Sequence, residues 1–221
     1  MTPDRSARRA RRLAALAPVA ALAACGSPSS GPNPSVPSVP PAPTAVTAGA
    51  APVATLPVGP GSRDGYTVRA QPAPGSCHYR WVGPDPLPDP TCTPGATNPA
   101  VSPTDLASTI CRSGWTASVR PPYSITHPEK VGSAAAYGYT GPFSTGEYDH
   151  LVPLELGGDP DDPANLWLEP NDRPGATSTT NTKDALEHHL RALVCAGRLP
   201  LREAQRAIAA DWVAALQRYG T

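Results

Sequence analysis

The residue types best suited to catalysis lie close together in one stretch of the sequence. Asp149 and His150 are adjacent, and Asn165 follows the histidine by 15 positions, beyond a turn that contains Gly157-Gly158. Histidine titrates near neutral pH and can accept a proton from water, and an asparagine amide can hold an imidazole in one orientation. We therefore predict that His150 is a general base and that Asn165 orients it through a hydrogen bond.

The elements that must position these residues are short. One strand is expected to end at Asp149-His150, and a second to begin near Asn165. Because successive side chains of a strand point to opposite faces, Asp149 is not simply the orienting partner of His150. Apolar residues at i, i+4, i+7 and i+8 predict a helix over residues 183–195. A hairpin followed by a helix is thus the expected frame of the site.

Two further helices are indicated on either side of this frame. Ser102-Pro103-Thr104-Asp105 has the residues of a helix start and predicts a short helix over 104–111. The chain from Trp115 to Tyr123 is expected to be extended. A single helix with one buried face is expected over 201–219. The predicted fold class is α+β, a small and mainly helical domain.

The amino terminus has the parts of an export signal. Residues 1–24 hold five arginines between positions 5 and 12. They continue as an apolar run that ends in Leu22-Ala23-Ala24, directly before Cys25. Small residues before a cysteine resemble a bacterial lipobox, in which the cysteine is acylated. The alternative is an ordinary signal peptide with an incidental cysteine. Lipidation of Cys25 would anchor the protein to the outer face of the cell membrane.

Composition divides the remaining chain. Residues 25–62 are rich in Pro, Ala and Ser and are expected to form a disordered tether, followed by a Pro-rich extension at 63–103 and the main domain at 104–221. The first 25 residues hold five of the 18 basic and one of the 18 acidic residues, so 13 and 17 remain, a net charge of −4. The exported part therefore has no general electrostatic attraction to nucleic acid.

Four cysteines follow Cys25, an even number that fits two disulfides in an exported protein. Three pairings are possible. We favour Cys77–Cys92, which closes a local loop in the Pro-rich extension. The second bond is then Cys111–Cys195, which ties the short helix near 104–111 to the end of the helix at 183–195.

The combined string resembles the HNH branch of the His-Me finger (ββα-metal) nucleases. The resemblance is carried by Tyr148-Asp149-His150-Leu151-Val152-Pro153-Leu154, Gly157-Gly158 and Asn165-Leu166-Trp167. Lys183-Asp184 and Val194-Cys195 add a likeness to exported HNH-like proteins of actinobacteria. The similarity covers roughly residues 104–218. It implies a ββα-metal unit and a metal-dependent endonuclease of low sequence specificity that cuts DNA or RNA and leaves a 5′-phosphate and a 3′-hydroxyl.

The resemblance also implies a divalent cation, and it assigns Asp149 to that cation. The family places a last ligand, His or Asn, on the closing helix, but the residue nine positions after Asn165 is Pro174, which cannot ligate. Asn181 is the candidate, although Asn181 with Asp184 is equally a helix-capping pair. Carboxylate and amide oxygens completed by water suit Mg²⁺, with Mn²⁺ or Zn²⁺ as alternatives.

The remaining expectations concern partners. Lys183 and Arg173 are candidates for contact with substrate phosphate, and the alternative for both is an exposed, solvated side chain. The protein is expected to be a monomer that meets nucleic acid outside the membrane. A rival hypothesis is an envelope lipoprotein whose HNH-like unit is a non-catalytic binding or structural scaffold. The acidic net charge and the displaced third ligand favour that rival.

Overall fold

The computed structural model describes residues 55–173 and 181–220. Across these ranges the fold is α+β, with five α-helices and two antiparallel two-stranded sheets. In chain order the elements are β1 Arg80–Val82, β2 Asp85–Leu87, α1 Trp115–Val119, α2 Tyr123–Ala136, β3 Gly146–His150, β4 Leu166–Pro170, α3 Thr182–Cys195, α4 Leu201–Ala210 and α5 Trp212–Tyr219. In the same ranges, no helix is long and apolar enough to cross a membrane. The predicted signal peptide, Cys25, most of the tether and Pro174 lie outside the described residues.

The predicted hairpin is confirmed. Strand β3 ends at His150, β4 begins directly after Asn165, and the two pair antiparallel with His150 opposite Leu166 and Asp149 opposite Trp167. Every residue of β4 is buried, because helix α2 packs against this hairpin as well as the neighbouring elements of the core. The end of β3 is therefore fixed by its pairing with a strand of the buried core.

The helix predicted over 183–195 is also confirmed, with one added residue at its start. Its apolar stripe of Leu186, Leu190 and Val194 is buried in the core, as the periodicity requires. At its amino end, the backbone N–H of Asn181 donates to Asp184 Oδ2 at 2.9 Å, one half of a capping box. This cap fixes where the helix begins relative to β3.

The single helix predicted over 201–219 is wrong, because the chain breaks at Asp211 into α4 and α5. Asp211 adopts an extended conformation (φ −165°, ψ 98°), and its carboxylate accepts a hydrogen bond from the N–H of Ala214 at 2.9 Å. An aspartate that caps a new helix competes with helix continuation. The expected buried face survives the break, since Ile208 and Trp212 are both fully buried.

Between residues 104 and 136 the predictions were wrong. The short helix at 104–111 is a single 3₁₀ turn, Leu106–Ser108, and the chain expected to be extended contains α1. The 14-residue α2, which begins at the last residue of that chain, was not predicted. Pro128 in the sixth position of α2 obscured this helix in the sequence, since proline is disfavoured inside helices. Packing of α2 on β4 offsets that cost, and Ser133 Oγ accepts a hydrogen bond from Leu168 N at 2.9 Å.

Both favoured disulfides are confirmed. Cys77–Cys92 closes a loop with a sequence separation of 15, and Cys111–Cys195 closes one of 84. Loop-closure entropy gives contributions of about 3 and about 4–5 kcal/mol. The second bond joins the turn before α1 to the last residue of α3, at the opposite end of that helix from Asn181.

The structure does not separate the chain at the predicted boundaries after residues 62 and 103. Residues 55–62, assigned to the tether, are bound to the domain, because Gly59 N donates to Thr97 O at 2.9 Å and Gly61 N donates to Asp159 Oδ2 at 2.6 Å. The Pro-rich extension shares one core with the rest of the chain, and its Leu87 is only 2 % exposed. The described residues from 55 onward therefore share one folded core.

Candidate active site

His150 is the last residue of β3, and its imidazole is fixed by a backbone carbonyl. Its Nε2 lies 3.1 Å from the oxygen of Pro160, and the side chain is buried. A carbonyl only accepts, so Nε2 carries the proton and Nδ1 carries the free lone pair. Burial lowers the pKa of His150 to about 4, so the imidazole is neutral at pH 7. A neutral imidazole with a fixed tautomer is suited to take a proton at Nδ1.

The predicted hydrogen bond between Asn165 and His150 is not formed. The amide of Asn165 is fully buried, and it contacts only backbone. Its Oδ1 accepts from the N–H groups of Val152 at 2.9 Å and Ala96 at 3.2 Å, and its Nδ2 donates to the oxygens of Val152 at 3.0 Å and Asp159 at 2.9 Å. Asn165 therefore shapes the loop that presents the Pro160 carbonyl, and it acts on the imidazole only through that loop.

The Gly157-Gly158 pair is required by the same loop. Gly157 has φ +72°, which favours glycine. A Cβ at Gly158 would lie 1.7 Å from Val152 O and 2.8 Å from Asn165 Nδ2. Both glycines thus permit the tight packing of the loop around the Asn165 amide.

His150 borders a cleft of about 210 Å³ between the start of α2 and strand β3. Two cations line it: Arg120, which is exposed, and Lys130, whose Nζ donates to the oxygens of Phe143 at 2.9 Å and Gly146 at 2.7 Å. The cleft is also lined by Pro121, Tyr123, Thr126, His127, Glu147, Tyr148 and Leu166. Neither cation was predicted from the sequence, because the sequence does not place α2 beside the hairpin. The available signal was Arg120 directly before Pro121-Pro122, with Lys130 further along the chain after them.

Glu147 is the carboxyl of this cleft. Burial, with the neighbouring Asp149 charge, raises the pKa of Glu147 to about 8. At neutral pH the cleft therefore holds a protonated carboxyl and a neutral imidazole, groups whose environments move their pKa values in opposite directions.

Lys183 is buried, which contradicts the expectation that it is exposed or free to bind substrate. Its Nζ donates to Asp149 Oδ2, to Glu187 Oε1 at 2.5 Å and to the oxygen of His150 at 3.0 Å, and it lies 3.9 Å from Glu169 Oε2. The side chain is 1 % exposed. Lys183 thus joins the first turn of α3 to the end of β3 through the carboxylate of Asp149 and the backbone oxygen of His150.

The charges in this buried cluster are set by competition between desolvation and pairing. Burial alone would lower the pKa of Lys183, but Asp149 and Glu187 raise it well above its ordinary value. Burial would raise the pKa of Asp149, but the Lys183 ammonium together with His150 and a hydrogen bond from Glu169 holds it below its ordinary value. Burial raises the pKa of Glu169 well above the usual range and that of Glu187 to about 8. One ammonium therefore pairs chiefly with the carboxylate of Asp149.

The other two candidate residues have different surroundings. Asn181 is buried at the start of α3, where its Oδ1 accepts from Asp172 N at 3.1 Å in addition to its place in the capping box. Arg173 has a 64 % exposed side chain and lies 3.9 Å from Asp172 Oδ1. Arg173 is therefore free to meet a ligand, whereas the oxygen of Asn181 already has a partner.

In this structure, the side chains predicted to bind a divalent cation have their oxygens engaged with other groups. Asp149 Oδ2 is bound to the Lys183 ammonium, and Asn181 Oδ1 is bound to a backbone N–H. Across residues 55–173 and 181–220, no group of three or more His, Cys, Asp or Glu side chains is arranged to hold a metal ion. A metal ion bound to Asp149 Oδ2 would compete with Lys183 for that oxygen. The metal role of Asp149 and Asn181 stays a prediction.

Comparison of the chain with protein-family models, with curated proteins and with solved structures found no match. The resemblance to HNH nucleases therefore stays a prediction that rests on the residues quoted for it.

A buried carboxyl outside the cleft gives a prediction about pH. Glu129 on α2 is 1 % exposed, and its Oε1 accepts from Arg69 N at 2.7 Å. Burial raises its pKa from 4.5 to about 7. A raised pKa means that stability is present at low pH and is lost as the pH rises through about 4.5 to 7, by about 2–3 kcal/mol. Glu129→Gln keeps an acceptor for Arg69 N and should abolish this loss.

The measurement is urea unfolding of both proteins across this pH range. Glu129→Gln should exceed the wild type in stability at about pH 8 and match it near pH 4.5. The exposed Asp64→Asn is the control and should leave the profile unchanged. Parallel profiles for the wild type and Glu129→Gln would contradict the prediction.

Proposed function

We propose that this protein is an exported endonuclease that hydrolyses phosphodiester bonds of DNA or RNA with low sequence specificity. The observation that carries the proposal is His150, a neutral imidazole fixed by Pro160 O at the border of a cleft lined by two cations. A base beside positive charge is what phosphodiester hydrolysis requires. The export signal and the lipidation of Cys25 are part of the proposal, and they place the activity outside the membrane.

The proposed reaction uses groups of this cleft. His150 Nδ1 takes a proton from water, and the water oxygen attacks phosphorus. Arg120 and Lys130 offset the negative charge that grows on the phosphoryl oxygens. The bond to the 3′ oxygen breaks, and Glu147 is the carboxyl placed to return a proton to that oxygen. The products are a 5′-phosphate and a 3′-hydroxyl.

The proposal is tested by plasmid nicking with the purified full chain, with EDTA and with Mg²⁺, Mn²⁺ or Zn²⁺ in separate reactions. His150→Gln should lower the cleavage rate by roughly 10²- to 10⁴-fold, the usual effect of losing a general base. His189→Gln, on the partly exposed face of α3, is the matched control and should retain full activity. Cleavage that survives His150→Gln unchanged would overturn the proposal, and activity in EDTA would overturn the predicted metal requirement.

One observation favours the rival function, a non-catalytic envelope scaffold. The Lys183 ammonium already neutralises Asp149, so the charge of Asp149 is balanced without a metal ion. The rival predicts no cleavage with any of the three metals. It also predicts no binding of a divalent ion that depends on Asp149 in calorimetry.

A further inference from the structure

A large aromatic side chain stands exposed at the rim of the His150 cleft. Tyr123 is 74 % exposed, and one face of its ring stacks on His127, with ring centroids 5.0 Å apart and 29° between the planes. The hydroxyl of Tyr123 lies 2.9 Å from His127 Nδ1. One face of the phenol ring is thus covered by the imidazole, and the Tyr123 side chain is otherwise largely open to solvent.

The position of this ring is fixed before any ligand arrives. Tyr123 is the first residue of α2, directly after Pro121-Pro122, and His127 lies one helical turn further along. Proline restricts its own φ, and residues at i and i+4 of a helix face each other. A ligand that stacks on Tyr123 therefore meets a surface with little conformational freedom to lose.

The same cleft joins this aromatic surface to positive charge. Tyr123, His127, Arg120, Lys130 and His150 all line it. A nucleotide has the matching parts, a flat base joined through a sugar to a charged phosphate. Aromatic stacking beside cations is the common mode of binding for unpaired nucleic acid.

We infer that the Tyr123–His127 pair is a stacking subsite for one unpaired base, so that the preferred substrate is single-stranded nucleic acid. The inference rests on the proposed function, because it concerns the same cleft. In a duplex, a base is already stacked and paired, and it reaches a surface aromatic ring only after it leaves the helix. The stacking subsite therefore selects flexible single strands over duplexes.

The test is fluorescence anisotropy with the full chain carrying His150→Gln, which leaves the probe uncut, and a short labelled oligothymidylate in EDTA. Adding Tyr123→Ala should weaken binding by roughly 5- to 100-fold, the effect of losing one stacked base. Tyr123→Phe keeps the ring and should bind like the parent. Trp81→Ala removes another exposed aromatic, outside the cleft, and should have no effect. A probe of equal length without bases should bind all four proteins equally.

Equal binding of oligothymidylate by the Tyr123→Ala and Trp81→Ala proteins would overturn the inference, and so would an equal loss on the probe without bases. Cleavage assays separate this result from the proposed function. Wild-type cleavage that depends on His150 but is indifferent to Tyr123 would refute the subsite and leave the nuclease intact. Binding that depends on Tyr123 in a protein that cleaves nothing would support the subsite and refute the nuclease.

Discussion

Replacing Lys183 with methionine is expected to lower the free energy of unfolding by about 3–5 kcal/mol, because it leaves buried carboxylates without their counter-ion. Methionine keeps the length and the apolar stem of lysine, so it opens little space. What it removes is the ammonium that binds Asp149, Glu187 and the carbonyl of His150. Asp149 must then take up a proton or stay charged without a counter-ion, and Glu169 and Glu187 lose the ammonium that favours their ionised forms.

The size of the loss should depend on pH. Without the ammonium, burial raises the pKa values of the remaining carboxyls further, so stability is lost as the pH rises. Urea unfolding should therefore show a larger deficit at about pH 8 than at about pH 5. Arg218→Met is the matched control, since it breaks an exposed pair with Glu203 and should cost less than about 1 kcal/mol. A deficit for Lys183→Met no larger than that of the control would contradict the prediction.

Replacing Asn165 with alanine is expected to cost about 3–6 kcal/mol. The change removes the hydrogen-bond partner of four buried backbone groups at once, two N–H groups and two carbonyl oxygens. Each buried polar group without a partner costs about 1–3 kcal/mol, although water that enters the space left by the side chain reduces the sum. The loop that carries Pro160 O should loosen as well, so the activity of the folded protein should fall with its stability.

Thermal unfolding and cleavage rates, measured on the same samples, test this prediction. Asn165→Asp is the informative companion, because it keeps acceptors for Val152 N and Ala96 N but loses the two donated bonds. Its second carboxyl oxygen faces the carbonyl oxygens of Val152 and Asp159 inside the core, so it should be less stable than the wild type, and the deficit should grow as the pH rises and the buried carboxyl ionises. If Asn165→Ala unfolded like the wild type and lost only activity, a direct role at the imidazole would replace the structural one.

The hairpin, the position of His150 and helix α3 could be predicted because each depends on neighbours in the sequence. A strand end, a turn with two glycines and a stripe at helical spacing are local signals. The disulfide pairing also followed from position along the chain, since Cys77 and Cys92 are close in sequence and Cys111–Cys195 was the pair that remained. These features needed no knowledge of how distant elements pack.

Helix α2 could not be predicted from the sequence, and without it the surroundings of His150 could not be predicted either. Pro128 and Gly132 lie inside α2 and weaken its local signal, and burial against β4 stabilises the helix. Without α2, the sequence did not show that Arg120 and Lys130 line the same cleft as His150. Nor did it indicate that Tyr123 stands at the rim of that cleft.

The sequence by itself determined which residue is the candidate base and where its strand ends, because periodicity and turn chemistry act over a few residues. Only the tertiary structure decided what surrounds that base. It assigned the orienting contact to Pro160 O instead of Asn165, and it placed Lys183 on Asp149. The physical reason is that hydrogen bonds and ion pairs between distant segments are selected by the satisfaction of every buried polar group together, which no local pattern encodes.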